Sequence, residues 1–373
     1  MTQILIAISF VLFFVQCERD QKRIIAEKRE VKAKNETQPV RSAADRDAAD
    51  DPAIWVNPEN PQKSLVVGCD KNLGISVYDM SGKELSFFPA GEINNVDLRD
   101  GFDLNGESIV LVAGSNRTED SPSQNSICLF KLDTKTGKLA SLNDIGIKTN
   151  LEDVYGFCLA KDQETKKFYA FINHKSGIIQ QWELYATDKG GIDGNLIRSM
   201  KVNDQPEGMV VDEELGYLYV GEEDRGVWKF SSKADGDTKG VLVANSTESN
   251  PEIAFDIEGL AMYYQPKGKG YLIVSSQGNN SFAIYEREGS NQYLFSFNVV
   301  DGDIDGVSDT DGIDITNLFI NDDFPNGMLV VQDGRNIEDG ERLAQNFKFV
   351  DWRDIASLAN PPLLQDNKFD PDN

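Results

Sequence analysis

The feature that most constrains the fold of this sequence is a short β-like motif that recurs six times along the chain. Each copy is a run of mostly apolar residues that carries an aromatic side chain and ends beside a charged or turn residue. Successive copies follow one another at intervals of about 50 residues, which is typical of repeat architectures. The copies are Ile75–Asp79, Ile127–Lys131, Ile179–Glu183, Val227–Phe230, Phe282–Glu286 and Phe347–Val350.

Two further strand-like runs precede each copy, so every repeat contains at least three predicted strands. Apolar residues alternate with a period of two, turn residues separate the runs, and helical periodicity is almost absent. A fourth strand fits the longer connections, as at Lys138–Leu142 and Leu294–Val299. We therefore predict an all-β fold, a six-bladed β-propeller over residues 46–358. The first predicted strands are Ala53–Val56, Val96–Asp103, Tyr155–Ala160, Gly208–Asp212, Gly259–Tyr264 and Gly312–Thr316, and the second are residues 64–69, 108–114, 167–173, 216–221, 270–276 and 327–332.

A propeller brings equivalent positions of successive repeats together at the mouth of its central channel. In ring order, half of this predicted mouth carries basic side chains and half carries carboxylates. The ends of the second strands offer Lys71, Arg117, Lys175, Glu223, Gln277 and Asp333. The starts of the first strands offer Asp50, Asp51, Asn95, Asp97, Asp153, Tyr155, Glu207, Asp256, Glu258 and Asp311.

The charge balance of the chain narrows the classes of partner. It has 62 acidic and 37 basic residues, a formal net charge of −25. Nucleic acid and anionic membrane surfaces would repel such a protein, so we expect neither as a partner. The only histidine, His174, leaves little room for the usual general base or zinc ligand. So many carboxylates in a foldable chain instead suggest hard cations, calcium above all.

Three basic side chains converging from different blades would hold an anion, and phosphate suits the donors of Lys71, Arg117 and Lys175 best. The facing carboxylates would repel that anion unless metal ions lie between them. Calcium or a similar cation would bridge both groups of oxygens, polarise the phosphorus and lower the pKa of a bound water. The alternative is that the three basic residues merely pair with neighbouring acids at the rim.

A dense run of aspartates, Asp301–Asp314, resembles the opening of an EF-hand loop. Gly312 stands where an EF-hand needs its bidentate glutamate, and no helices are predicted on either side, so we exclude that motif. Calcium coordination by some of these aspartates is expected, because like charges at this density would otherwise repel one another. A solvated loop is the alternative.

The N-terminus carries the pattern of an export signal. Residues 4–15 are an uncharged apolar run, too short to span a bilayer as a mature helix. The run leads to Phe14-Val15-Gln16-Cys17, which resembles a bacterial lipoprotein cleavage box despite the large Gln16. We predict a signal peptide over 1–17 and a lipidated Cys17, which implies an outer-membrane or cell-surface lipoprotein. A plain secretory signal, giving a secreted or periplasmic protein, is the alternative.

Residues 18–45 are densely charged and poor in apolar residues, and we interpret them as a flexible tether. Residues 359–373 form a C-terminal tail. Besides Cys17 the chain has Cys69, Cys128 and Cys158, which cannot all pair and lie in apolar runs, so buried free thiols are expected. We expect a monomer.

The motifs at the predicted mouth resemble those of the β-propeller phytases, in order and in every blade over about residues 46–356. The resemblance implies a calcium-dependent phosphomonoesterase of the 3-phytase type, which releases phosphate from myo-inositol hexakisphosphate (phytate), bound free or as its calcium complex. It further implies two neighbouring phosphate subsites and a metal-bound water as nucleophile. The motifs are Asp47–Trp55, Asn94–Arg99, Ser115–Arg117, Val154–Phe157, Pro206–Met209, Glu222–Asp224, Asp256–Leu260, Ser275–Asn279, Ser308–Asp314 and Gln345–Lys348.

The same resemblance assigns roles to individual residues. The phosphate binders it implies are Lys71, Arg117 and Lys175, with Tyr155 in the same mouth. The catalytic calcium ligands it implies are Asp50, Glu207, Glu223, Asp256, Glu258, Gln277 and Asp311. A structural calcium would be held by Asp305 and by the carbonyl groups of Pro52 and Val96.

Two departures from the family pattern stand out. Asn72 follows Lys71 where members of the family often have a second lysine, so one phosphate contact is missing. Arg335 stands where a glutamate often helps to hold the structural calcium. We predict that this calcium is weakened, or replaced by an ion pair of Arg335.

Other functions remain as alternatives at this stage. A six-bladed calcium-dependent lactonase or phosphodiesterase would keep the metal carboxylates but would not need three convergent basic residues. A non-catalytic binding propeller would need neither. The histidine phosphatase motif is absent, and the one C-x5-R match, Cys17 to Arg23, lacks a glycine-rich phosphate loop.

Overall fold

The computed structural model describes residues 29–245 and 253–370. The predicted signal peptide, Cys17 and the first part of the predicted tether lie outside the described residues. Within them the chain forms six mainly antiparallel sheets, one for each blade, and one small two-stranded sheet. The predicted all-β, six-bladed propeller is confirmed. None of the helices in the described residues is long and apolar enough to cross a membrane.

Each blade is built from consecutive strands, as the repeat predicts. Two short strands, β1 (Glu30–Val31) and β2 (Asn35–Glu36), precede the first blade. Blade one contains β3 (Ala49–Trp55), β4 (Leu65–Asp70), β5 (Gly74–Asp79) and β6 (Glu84–Phe88). Blade two contains β7 (Ile93–Leu104), β8 (Glu107–Asn116), β9 (Ser126–Asp133), β10 (Lys138–Ser141) and β11 (Ile147–Lys148). Blade three contains β12 (Val154–Lys161), β13 (Phe168–His174), β14 (Ile178–Ala186) and β15 (Ile192–Lys201).

The remaining blades follow the same plan. Blade four contains β16 (Pro206–Asp212), β17 (Tyr217–Glu222), β18 (Gly226–Ser231) and β19 (Val241–Asn245). Blade five contains β20 (Ile257–Gln265), β21 (Lys269–Ser276), β22 (Ser281–Glu286) and β23 (Tyr293–Val299). Blade six contains β24 (Ile313–Thr316), β25 (Met328–Asp333) and β28 (Asn346–Asp351), and a small hairpin of β26 (Ile337–Glu338) and β27 (Glu341–Arg342) lies between the last two.

The first strand of each blade is its innermost strand, and these six strands form the wall of the channel. Each contacts the first strand of the next blade, and β24 contacts β3, which closes the ring. Six buried apolar clusters fill the spaces between successive blades. The cluster between blades six and one, for example, joins Phe347 and Phe349 to Ile54 and Val66. Because burial of apolar surface drives folding, these interfaces hold the ring together.

Residues 29–45, which precede the first blade, are part of the fold, and this corrects the prediction of a flexible tether for that part of 18–45. Strand β1 pairs in parallel with β23 at the outer edge of blade five. Strand β2 pairs with β28 and supplies the fourth strand of blade six. Val31 and Ala33 are buried in the cluster between blades five and six. The N-terminal end therefore completes the two last blades of the ring.

The C-terminal segment packs against blade five. The one α-helix of the described residues, α1 (Trp352–Ser357), places Trp352 on the ring of Tyr263, with 3.8 Å between ring centroids. Beyond it, Gln265 and the backbone of Asp366 exchange two hydrogen bonds. Cys69, Cys128 and Cys158 are free and buried, as expected.

Candidate active site and metal centre

The innermost strands of five blades carry a β-bulge at the same place, near the end that faces the channel mouth. In each, two residues are skipped in the pairing with the second strand. A bulge bends its strand and turns a side chain away from the regular alternation, which suits a functional position. The first skipped residues are Asp50, Asn94, Tyr155, Glu207 and Glu258, and Asp311 precedes the innermost strand of the sixth blade.

Glycine follows three of the bulged residues, and it also follows Asp311, for a steric reason. A Cβ atom on Gly208 would overlap the carbonyl oxygen of Glu258 in the next blade. Gly156 lies in the same way against the carbonyl oxygen of Glu207, and Gly312 against the backbone of Asp50 and Asp51. The backbones of these neighbouring blades therefore touch at the mouth, which brings the five bulged side chains and Asp311 into one small ring.

The second strands deliver the other predicted residues to the same mouth. Lys71, Arg117, Lys175, Glu223 and Gln277 each come directly after the second strand of their blade. The sequence-predicted convergence of strand ends is thus seen in five blades. Asp333, the predicted sixth member, is the last residue of β25 and lies beside Lys348 instead.

The centre of the mouth is a cluster of three carboxylates. One oxygen each of Glu207, Glu223 and Glu258 lies within 4.8 Å of the other two. The buried oxygens Asp50 Oδ1, Glu258 Oε2 and Asn94 Oδ1 lack a hydrogen-bond partner. Buried acceptors are costly when unpaired, and a cation would satisfy them. The donors here are all oxygens, so these residues fit a hard divalent metal ion.

The crowding of carboxylates raises their pKa values in the metal-free chain. Burial raises the pKa of Glu258 well above its ordinary value, and the charge of Glu207 adds to the rise. Burial likewise raises the pKa of Glu223 to about 7, against a hydrogen bond from Gln205. The pKa of Asp311 rises to about 6, because burial outweighs the attraction of Lys71. A bound cation would lower these pKa values again, because it attracts the charged form of each carboxylate.

Lys71 lies on the carboxylate side of the mouth. Its Nζ is 2.8 Å from Asp311, 2.9 Å from Asp47 and 3.2 Å from Asp50. Burial lowers the pKa of Lys71, but these three carboxylates reverse that effect and raise it. The alternative that the basic residues pair with acids at the rim therefore applies to Lys71 in this structure.

Arg117 and Lys175 are arranged differently. Among the described residues neither forms an ion pair, and both face the ring of Tyr155. Lys175 Nζ lies 4.4 Å from the ring centroid and the Arg117 guanidinium carbon lies 5.8 Å from it. The Tyr155 hydroxyl is hydrogen-bonded to Glu207, and its pKa is raised by burial and then by that carboxylate. Tyr155 therefore links two unneutralised cations to the carboxylate cluster.

The remaining predicted ligands lie close to this cluster. The side-chain amide of Gln277 donates to Asp311 Oδ1 at 2.6 Å, and its backbone N–H donates to the carbonyl of Asp256 at 3.0 Å. The carboxylate of Asp256 is near enough to Glu223 to raise its pKa. All seven predicted catalytic calcium ligands therefore lie in one mouth. Three of them form the carboxylate cluster, and Asp50, Asp256, Gln277 and Asp311 lie around it.

The predicted ligands of the structural calcium lie at two places in the structure, and that calcium stays a prediction. Pro52 and Val96 line a cavity of about 50 Å³ inside the channel, together with Asp51, Asp97 and Asp314. Asp305 is not among the residues that line it.

Asp305 lies in blade six, where Lys348 Nζ binds both Asp305 and Glu36. The predicted ion pair of Arg335 is not found. Arg335 is exposed and has no ion pair among the described residues. The cation beside Asp305 is the fully buried Lys348.

Two amide side chains that the sequence analysis did not single out contact the carboxylate cluster. Asn94 donates to Glu207 Oε1 at 2.7 Å, and Gln205 donates to Glu223 Oε1 at 2.5 Å. Asn94 could have been found from the repeat, because it stands at the position of Asp50 and Glu207. The sequence analysis placed Asn95 and Asp97 at the mouth instead. Two adjacent asparagines give no sign of which side chain a bulge turns towards the channel.

Comparison with known proteins identifies the family. A family model described as Phytase matches residues 2–373 of the chain. The chain belongs to the phytase family. It is 47% identical over 329 residues to a protein named 3-phytase from Bacillus subtilis (strain 168), covering 87% of this chain and 84% of that one.

Comparison of structures adds two more distant similarities. The β-propeller domain of Cps50 (Swd1) from Myceliophteria thermophila aligns with a TM-score of 0.43 and 13% identity, over 80% of this chain and 82% of that one. Hydrazine synthase from Kuenenia stuttgartiensis aligns with a TM-score of 0.45 and 13% identity, over 75% and 80%. Neither alignment bears on the function of this member of the phytase family.

Proposed function

We propose that this chain is a calcium-dependent phytase that releases inorganic phosphate from phytate. The observation that carries the proposal is the composition of the mouth. A carboxylate cluster that fits a divalent cation lies beside Arg117 and Lys175, two cations that no acid among the described residues neutralises. Membership of the phytase family and the similarity to a 3-phytase support phytate as the substrate that binds at this mouth.

The carboxylates hold calcium in this proposal. Glu207, Glu223 and Glu258 form the centre of the site, and Asp50, Asp256, Gln277 and Asp311 lie around them. When bound, calcium would neutralise these groups, polarise the phosphoryl group and activate water. Phytate carries many phosphates, and an acidic protein can approach it only where that acidity is neutralised.

The basic residues bind the phosphate oxygens. Arg117 presents a planar fork of N–H donors, and Lys175 presents a point charge from the next blade. The ring of Tyr155 holds both side chains over the carboxylate cluster. Lys71, from blade one, must divide its donors between substrate oxygens and the three carboxylates that it contacts.

Phosphate release from phytate, measured with calcium and with a chelator, tests the proposal. We expect release with calcium and loss of release on chelation. Glu207→Gln should abolish most of the release while leaving the melting temperature in calcium-free buffer nearly unchanged. A phosphodiester and a lactone serve as comparison substrates. Turnover of either one in place of phytate, or release that is indifferent to chelation, would overturn the proposal.

We further propose that the protein is exported and carries a lipid on Cys17. Support comes from the apolar run at residues 4–15 and the cleavage-like box that ends at Cys17. Labelled palmitate should be incorporated into the wild-type protein and not into Cys17→Ser. Export of an unlabelled wild-type protein would favour a plain secretory signal.

A further inference from the structure

The ring of bulged residues contains one member whose role is not explained by charge. Acidic or phenolic side chains occupy this position in the other blades, but blade two has the neutral Asn94. Its side chain is completely buried, whereas an asparagine that served only to fill space would normally reach solvent. It therefore requires an explanation in terms of its contacts.

Both N–H donors of the Asn94 amide are used. One donates to Glu207 Oε1 and the other to Asn95 Oδ1, each at 2.7 Å. A rotation of the amide by 180° would set its oxygen against two acceptors, so the two contacts fix its orientation. The Asn94 oxygen is left buried without a partner, a cost that the fold accepts to keep the donors in place.

The partner of Asn94 is itself held in place. Asn95 Nδ2 donates to Asp51 Oδ2 at 3.0 Å, and its backbone N–H donates to Ser115 Oγ at 3.3 Å. The contacts form a chain of hydrogen bonds from Glu207 through Asn94 and Asn95 to Asp51. This series of hydrogen bonds begins at the carboxylate cluster and ends at the wall of the channel.

We propose that Asn94 is a positioning residue that holds the Glu207 carboxylate in the geometry that binds the metal. The backbone of Glu207 is fixed separately, because Asn173 Nδ2 donates to its carbonyl oxygen at 3.0 Å. Asn94 thus acts on the side chain of Glu207 and not on its backbone. Hydrogen bonds that orient a metal ligand typically change metal affinity by about 10- to 100-fold. This inference rests on the proposed function for the identity of the metal, calcium.

Calorimetric titration of calcium into the full-length chain, freed of metal with a chelator, tests the proposal without substrate. We expect Asn94→Ala to weaken calcium binding by about 10- to 100-fold. The calcium concentration that gives half-maximal phosphate release from phytate should rise by the same factor. In a Glu207→Gln background, Asn94→Ala should add little further loss, since the group it positions is already changed.

Asn317→Ala is the matched control. Asn317 is also a buried asparagine, but it bonds to the carbonyls of Asp366 and Phe369, away from the mouth. We expect it to lower the melting temperature and to leave calcium affinity unchanged. If Asn94→Ala behaves like this control, Asn94 is only structural and the proposal is overturned.

A second variant covers the case in which Asn94→Ala does not fold. Asn95→Ala removes one of the two contacts that fix the Asn94 amide and should weaken calcium binding several-fold. Unchanged affinity in this variant would also overturn the proposal. A wild-type chain that binds no calcium would overturn the proposed metal dependence and this inference together, whereas calcium binding that is equal in wild type and variants overturns this inference alone.

Discussion

Tyr155 is the residue on which both halves of the mouth depend. Its ring faces Lys175 and Arg117, and its hydroxyl is hydrogen-bonded to Glu207. The two parts of the side chain therefore do different work. The ring aligns the cations that bind phosphate, and the hydroxyl orients a carboxylate of the metal centre.

Two substitutions of Tyr155 separate these contributions. Tyr155→Phe keeps the ring and loses a hydrogen bond to a charged group, so we expect kcat to fall by about 10- to 100-fold with little change in KM. Tyr155→Leu also loses the ring, and we expect KM for phytate to rise several-fold further because the cation–π contacts are lost. Steady-state kinetics at saturating calcium measures both. Equal kinetics of the two variants would show that the ring has no role in binding.

At the residue scale, the sequence predicted where side chains lie in the fold better than it predicted which side chains form ion pairs. The strand-end residues recur with the repeat, so Lys71, Arg117 and Lys175 could be placed in the mouth without a structure. Which acid neutralises which base depends on side-chain reach across blades, and no repeat encodes that. The sequence therefore did not reveal that Lys348, rather than Arg335, is the cation beside Asp305.

At the scale of the strand, the bulge and the glycine after it form one unit. The bulge turns a functional side chain towards the axis, and the glycine lets the next blade approach. The sequence shows the glycines, but only the pairing register shows that they sit in bulges. The extra residue changes the register without changing the alternation of apolar residues around it.

The close approach at Gly208 should be intolerant of any side chain. Gly208→Ala forces a Cβ atom into the backbone of Glu258, so we expect a loss of at least about 3 kcal/mol in the free energy of unfolding. Gly106→Ala is the control, since Gly106 faces open space and pays only for its positive φ, about 1–2 kcal/mol. Chemical denaturation measures both. A similar loss in the two variants would contradict the steric explanation.

The N-terminal strands are elements that the sequence hid. They contain two residues each, and they exist only because residues far along the chain offer free strand edges. A charged segment with little apolar content predicts no strand. In the described part of this segment, the buried core side chains are Val31, Ala33 and Val40, which are too few to reveal a period.

For the whole molecule, the pairing of the two N-terminal strands with blades five and six should contribute to stability. A chain that begins at residue 29 keeps both short strands and should melt like the full-length protein. A chain that begins at residue 41 loses both strands. It also loses the burial of Val31, which contributes about 1.5–3 kcal/mol to the free energy of unfolding. The buried Lys348 loses its ion-pair partner Glu36. We expect a clearly lower melting temperature for the second chain by calorimetry. Equal melting temperatures of the two shortened chains would mean that β1 and β2 do not contribute to stability.

The acidity of the mouth should make the metal-free protein sensitive to alkaline pH. The pKa of Glu223 is about 7 in the fold, against an ordinary value of 4.5, so the folded state binds the proton more tightly. Its contribution to stability is complete below pH 4.5 and is lost as the pH rises through 7. The chelated protein should therefore melt at a lower temperature at pH 8 than at pH 5.

The variant Glu223→Gln isolates this group from the other carboxylates. We expect a weaker dependence of melting temperature on pH in the chelated variant than in the chelated wild type. Calcium should remove most of the difference between pH 5 and pH 8 in the wild type, because it replaces the proton as the positive partner. Parallel pH profiles of the two proteins would rule out Glu223 as the source.

Contact between the backbones of neighbouring blades gives the mouth a fixed aperture. The backbones of neighbouring blades touch around the axis at Gly156, Gly208, Gly259 and Gly312, so an exchange of side chains elsewhere in the mouth does not widen or narrow the circle. Its diameter depends on how many blades there are. Blade number is in this sense a chemical parameter of the protein: a five- or seven-bladed relative with the same bulged residues would space its carboxylates differently and would select a different ion.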